Sequence, residues 1–251
     1  MKVYGVQRSG TNWMRFVIEQ NFVSTHVVDL PLGSKHAAPD PVTAIEAFRD
    51  GGGERYEGGP LPFQPSELDY DVDELEASLR RGDARAVVVI KSLVPWLASY
   101  HRYRRLKAKN QQMELTPKVV EIYTNLWIER NSAFVLGVPE HFPRWLLADH
   151  AAFLSDFDAQ MEHMASTLEL VGAHPTWVNT DKAMKRGGDL VSSDDLETTR
   201  PFRPETQTVE SASELLTPET LQTVTDLVEA TDLPPILAPF AAIDPTLLDG
   251  E

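Results

Sequence analysis

Short apolar runs along this chain are separated by longer amphipathic stretches, the rhythm of strand followed by helix. Residues 2–6 are short and β-prone, and 7–12 are polar, with glycines at Gly5 and Gly10. From Trp13 on, apolar residues recur at helical spacing, predicting a helix over 12–22 with Trp13, Phe16, Val17 and Gln20 on one face. A second strand is predicted over 24–30 (STHVVDL), running into a loop at 31–36, and a short helix over 39–50. Glycines bracket 51–65, which reads as a flexible lid or substrate loop, with an uninvolved surface insertion as the equal alternative. A helix over 66–81 with Ser66 as N-cap precedes the clearest buried strand, 86–90 (AVVVI). That run has no polar face, as a central parallel strand requires.

A further helix starts near Pro95, a residue suited to a first turn, and carries Trp96, Leu97, Ser99, Tyr100 and Tyr103. A long amphipathic helix is predicted over 117–136, with Ile122, Leu126, Trp127 and Ile128 as core candidates. Strand 144–148, helix 151–170 and a short fifth strand at 176–179 follow. Residues 181–204 read as loop, Thr217 caps a last helix to about 231, and the tail 232–251 is proline-rich. Strands alternating with helices predict an α/β fold, a mainly parallel sheet covered on both faces, with 1–251 as one domain.

Composition narrows the function. The 251 residues are 42% hydrophobic and 24% charged, ordinary for a globular chain with one good-sized core. No cysteine is present, which excludes disulfides, thiolate zinc sites and a cysteine nucleophile. No run approaches the ~18 apolar residues of a membrane span. Lys2 is followed at once by a strand rather than by a signal peptide, so a cytoplasmic location is expected. The net charge of −15 reads as solubility and argues against broad nucleic-acid or anionic-membrane binding. Against that background, positive charge survives in two islands, 101–109 (HRYRRLKAK) and 182–186 (KAMKR), which are candidates for a local anion site.

The opening strand, loop and helix form the arrangement in which backbone amides converge on an anion. The spacing Gly5-x-x-x-x-Gly10-Thr11 resembles a phosphate-binding loop, but a Walker motif places lysine before the Ser/Thr. Here Thr11 follows Gly10 directly and the loop's cation, Arg8, lies inside it, which argues against ordinary ATP or GTP hydrolysis.

Three pieces converge: the loop 7–13 (QRSGTNW), the pair Lys91 and Ser99 eight residues apart, and the basic turn Lys185-Arg186-Gly187. Together they resemble the sulfotransferase family that uses 3′-phosphoadenosine 5′-phosphosulfate (PAPS), in the bacterial form that carries R-S-G-T-N. The likeness is good over the loop and 91–103 and loose over 125–170. In the last sixty residues it rests on the basic turn and the final helix. It implies a three-layer, P-loop-like α/β sandwich that transfers a sulfuryl group to a hydroxyl or amine. The expected product is adenosine 3′,5′-bisphosphate, and no metal is required. The expected acceptor is a small molecule or glycan, with no nucleic-acid partner and no membrane insertion.

The resemblance also implies roles. The amides of Ser9, Gly10, Thr11 and Asn12, with the Thr11 hydroxyl, would cradle the 5′-phosphate. Arg8 takes the place of the family's lysine; it can stabilise charge at the leaving oxygen but cannot donate a proton to it. Trp13 falls where an aromatic stacks on adenine, with a core position as the alternative. Lys91 and Ser99 fall where an arginine and a serine hold the 3′-phosphate, although Ser99 alone would read as a solvent-facing helix residue. Lys185, Arg186 and Gly187 would clamp the same phosphate. Lys35 and His36 fall where a lysine precedes the histidine base, and a neutral imidazole suits that work near pH 7. A surface histidine is the bland alternative, and Glu54 and Glu57 are fallback bases. His101 reads as a phosphate-side or exposed group, and His26, His141, His150, His163 and His174 show no metal-site pairing. Two other classes stay open: a P-loop kinase or NTPase with Asp149 in a Walker-B-like role, and a non-catalytic nucleotide-binding protein.

Overall fold

The run from Arg85 to Ile90 becomes the central strand of a three-stranded sheet in the computed structural model, which describes residues 1–28, 30–50, 71–105, 113–179 and 215–247. Strand β1 is Lys2–Tyr4, β2 is Arg85–Ile90 and β3 is Arg144–Asp149, in the order β1-β2-β3 and parallel throughout. Tyr4 is in register with Val88, and Ile90 with Asp149. Parallel strands need crossovers, and helices provide them here. Helix α1 (Thr11–Asn21), α2 (Pro41–Asp50) and α3 (Val72–Arg81) lie between β1 and β2. Helices α4 (Leu93–Arg105) and α5 (Pro117–His141) lie between β2 and β3. After β3 come α6 (His150–Ser155), α7 (Phe157–Thr167) and α8 (Pro218–Glu229).

The pleat sends alternate side chains of β2 to opposite faces, and both faces are buried. Ala86, Val88 and Ile90 join a core with Trp96 and Leu97 of α4, Trp127 and Phe134 of α5, and Leu221 and Val224 of α8. Val87 and Val89 join a second core with Met14, Val17 and Ile18 of α1, Phe153 of α6, and Met161 and Met164 of α7. The molecule is thus a mixed α/β fold with a small parallel sheet between two helical layers. Among the described residues no helix is long and apolar enough to cross a membrane.

The structure corrects the predicted sheet in two places. Residues 24–28 form no strand, because their backbone finds other partners. The Val27 amide donates to the Glu19 carboxylate of α1 at 3.0 Å, and Met1 donates to His26 O at 3.0 Å and accepts from Val28 N at 2.8 Å. Leu30–Leu32 is a 3-10 turn through Pro31, whose nitrogen has no hydrogen to give a ladder. The other expected strand, 176–179, is irregular over its described residues. There the Asn21 side chain takes the backbone's place: Oδ1 accepts from Val178 N at 2.7 Å and Nδ2 donates to Val178 O at 2.9 Å.

Helix limits shift for local reasons. The helix expected over 151–170 is two, because Asp156 ends α6 and caps α7 by accepting from Ala159 N at 3.2 Å. Thr217 caps α8 as expected, and Asp71 caps α3 by accepting from Glu74 N. On α1 the buried face is Trp13, Met14, Val17, Ile18 and Asn21, rotated from the expected one, with Phe16 and Gln20 half-exposed. On α5, Trp127 and Ile128 are buried, Leu126 is partly buried, and Ile122 is 56% exposed rather than core. The lid segment 51–65, Ser66, Glu54, Glu57 and the turn Lys185-Arg186-Gly187 lie outside the described residues.

Candidate functional site

In a parallel sheet every strand ends at the same edge, and that edge is where α/β folds bind ligands. Here it gathers the loop after β1, Lys91 after β2 and His150 after β3. The loop's shape follows from two glycines. A Cβ on Gly5 would lie 2.5 Å from Ser9 Oγ and 2.7 Å from the Val89 carbonyl, so only glycine fits. Gly10 has φ +101°, a left-handed conformation that favours glycine, and starts α1 without a side-chain cap. Gly10 carries no side chain to cap the first amides of α1, the groups that a helix N-terminus presents to an anion. Arg8 also sits at positive φ, 73°, which costs a non-glycine residue about 1–2 kcal/mol.

Tertiary bonds hold this conformation. Trp96 of α4 donates its indole N–H to Gln7 O at 2.7 Å, and Ser9 N donates to Val6 O at 3.1 Å. Ser9 is fully buried against Gly5, and its Oγ has no hydrogen-bond partner among the described residues. Thr11 is 5% exposed, whereas Gln7, Arg8 and Asn12 are exposed. Arg8 makes no ion pair among the described residues; its guanidinium lies 5.7 Å from the Tyr103 ring centroid.

The structure brings Lys35 and His36 to this loop across thirty residues of chain. Gly5 N donates to Lys35 O at 3.0 Å, and Lys35 Nζ donates to Asn12 Oδ1 at 2.5 Å. His36 Nδ1 stands 2.6 Å from Gly5 O. A carbonyl only accepts, so Nδ1 carries the hydrogen, and in the neutral form of the ring the lone pair lies on Nε2. That is the tautomer a general base needs.

Lys91 is 2% exposed, and its carbonyl accepts from Trp127 Nε1 at 3.0 Å. Burial, then the charges of Arg8 and Arg102, push its ammonium from 10.5 down to about 8. Burial and neighbouring cations both disfavour the charged form, and an anion placed beside it would favour that form. Ser99 is half-buried on α4, three residues beyond the Trp96 that anchors the loop. Trp13 lies in the core, 6% exposed, edge-on to His150 and Phe153, so it backs the loop with no open face for stacking.

Sequence reasoning passed over His150. It is 4% exposed, and burial, then the charge of Lys91, pushes its pKa down to about 3. Its position directly after a strand, at the edge where ligands bind, was the signal available. The Asp149 carboxylate accepts from Ala151 N at 2.8 Å and is engaged as the cap of α6. Among the described residues no group of His, Asp and Glu is placed to hold a metal ion. An open depression of about 570 Å³ lies elsewhere, lined by His101, Arg105, Met113, Glu114, Leu115 and Leu215 and by no loop residue. Comparison with protein-family models, curated proteins and solved structures finds no match for this chain.

Proposed function

We propose that this chain is a PAPS-dependent sulfotransferase on a P-loop-like fold. The observation that carries the reading is the meeting, at one sheet edge, of an uncapped α1 N-terminus, Arg8, buried Lys91 and a His36 tautomer suited to base work. A donor with a 5′-phosphosulfate and a 3′-phosphate presents two anionic groups. The amides of Thr11 and Asn12 take the first, and Lys91 with Ser99 takes the second. The acceptor hydroxyl or amine attacks sulfur in line and forms the new bond to it. The bond from sulfur to the phosphate oxygen breaks, and its electron pair leaves with adenosine 3′,5′-bisphosphate. His36 Nε2 receives the acceptor's proton. Arg8 and Lys35, which the loop and its neighbour bring to the same edge, stabilise the charge that develops on the leaving oxygen.

The loop's cation, Arg8, lies inside it and no lysine follows Gly10, which supports this reading over a magnesium-dependent NTPase of the Walker type. Thermal shift separates the two. Adenosine 3′,5′-bisphosphate is expected to raise the melting temperature without magnesium. A shift from ATP with magnesium, and none from the bisphosphate, would refute the proposal. Labelled PAPS with an acceptor panel then separates an enzyme from a non-catalytic binder.

A further inference from the structure

His150 has no part in the chemistry above, yet it is built into the loop from behind. A Cβ on Gly10 would lie 2.9 Å from His150 Cδ2 and 3.4 Å from Nε2, so the ring fills the space a side chain at position 10 would need. Trp13 meets the same ring edge-on at 6.1 Å between centroids and is itself edge-on to Phe153 at 5.8 Å. The Asp149 cap fixes where the first residue of α6 projects. The imidazole is thus held between a strand end, a helix start and the turn that begins α1. Burial, together with the charge of Lys91, keeps it neutral at physiological pH.

The amides that open α1 point where the Gly10 backbone sends them. With φ at +101° and no side chain, glycine has more conformational freedom than any other residue, so something outside the loop must hold it. We propose that His150 is the positioning residue of the anion loop: its ring closes the far side of the Gly10 turn and holds the first amides of α1 in the direction in which they meet an anion. The role is one of shape, exercised through Gly10. It rests on the reading of the loop as an anion site, but not on the identity of the nucleotide.

Calorimetric titration of the full chain at pH 7 with two probes, adenosine 3′,5′-bisphosphate and inorganic pyrophosphate, tests this. His150→Ala is expected to bind pyrophosphate at least tenfold more weakly than wild type. His150→Phe restores a ring edge against Gly10 and is expected within about threefold of wild type. Amide exchange at Thr11 and Asn12 in the ligand-free protein should speed up in His150→Ala and not in His150→Phe. If His150→Ala does not fold, His150→Val, which removes the ring edge and keeps buried volume, carries the same test. Unchanged pyrophosphate affinity on removal of the ring overturns the proposal. If pyrophosphate binds in a His150-dependent way and the bisphosphate does not bind, the sulfotransferase reading falls and this one stands. Binding of neither probe to wild type overturns both.

Discussion

Replacing Lys91 by methionine separates the site's function from its cost. Lys91 is 2% exposed, so water screens its charge little. Lowering the pKa from 10.5 to about 8 means the folded state disfavours the charged form by about 3 kcal/mol. The sign is opposite to that of a stabilising ion pair. Below pH 8 both folded and unfolded chains carry the proton and the full penalty is present. Between about 8 and 10.5 the folded chain sheds the proton first, and the penalty disappears. Methionine keeps the volume without the charge. Lys91→Met should therefore raise the melting temperature of the ligand-free protein at pH 7, by up to ~10 °C for a chain of this size. The gain should vanish as the pH is raised toward 10.5. Affinity for adenosine 3′,5′-bisphosphate should fall ~10- to 150-fold, the value of a lost charge-assisted bond. Wild-type affinity should be level between about pH 7 and 8, above the second phosphate pKa of about 6, and fall above pH 8, because the anion favours the protonated lysine. Scanning calorimetry across pH with a titration at pH 7 reads all of this. A variant that is less stable at pH 7 by an amount that does not change up to pH 10.5 refutes the reasoning, as does one that binds the bisphosphate as well as wild type.

Three further outcomes follow from single contacts. His36→Ala should leave bisphosphate affinity within twofold and lower sulfuryl transfer ~10²- to 10³-fold, as loss of a general base does; equal losses in both would make His36 a binding residue. Gly5→Ala places a methyl 2.7 Å from the Val89 carbonyl, which is backbone and cannot move aside, so urea unfolding should show a loss of ~2–4 kcal/mol. Asn21→Ala removes bonds to Val17 O, Val178 O and Val178 N from a fully buried side chain; it should cost ~2–3 kcal/mol and raise amide exchange at Val178, with bisphosphate affinity unchanged.

Legibility followed the range of the forces involved. The 86–90 run was readable because a strand buried on both faces must be apolar at every position. The cap at Thr217 sits beside the amide it satisfies, so it is written locally. Strand pairing is not local. The segment 24–28 has the composition of a strand, but Glu19 claims the Val27 amide, and Asn21 claims both backbone groups of Val178. Ile122 failed for a similar reason, since the direction a helix turns to the core is chosen by its neighbours, and α5 turns Trp127 inward instead.

The candidate site divides the same way. By itself the sequence determined the loop's spacing and the place of its cation, because both are read directly along the chain, whereas the demand for glycine at positions 5 and 10 comes from the Val89 carbonyl and the His150 ring, which lie far off in sequence. The sequence also determined that Lys91 would stand at a strand's end. Only the tertiary structure decided that Lys91 loses water and meets the field of Arg8, that Gly5 O selects the His36 tautomer, and that His150 stands behind Gly10. Proton affinity, tautomer and steric support are properties of the groups that surround a side chain. Parallel strands bring those groups to one edge from positions that are remote in sequence.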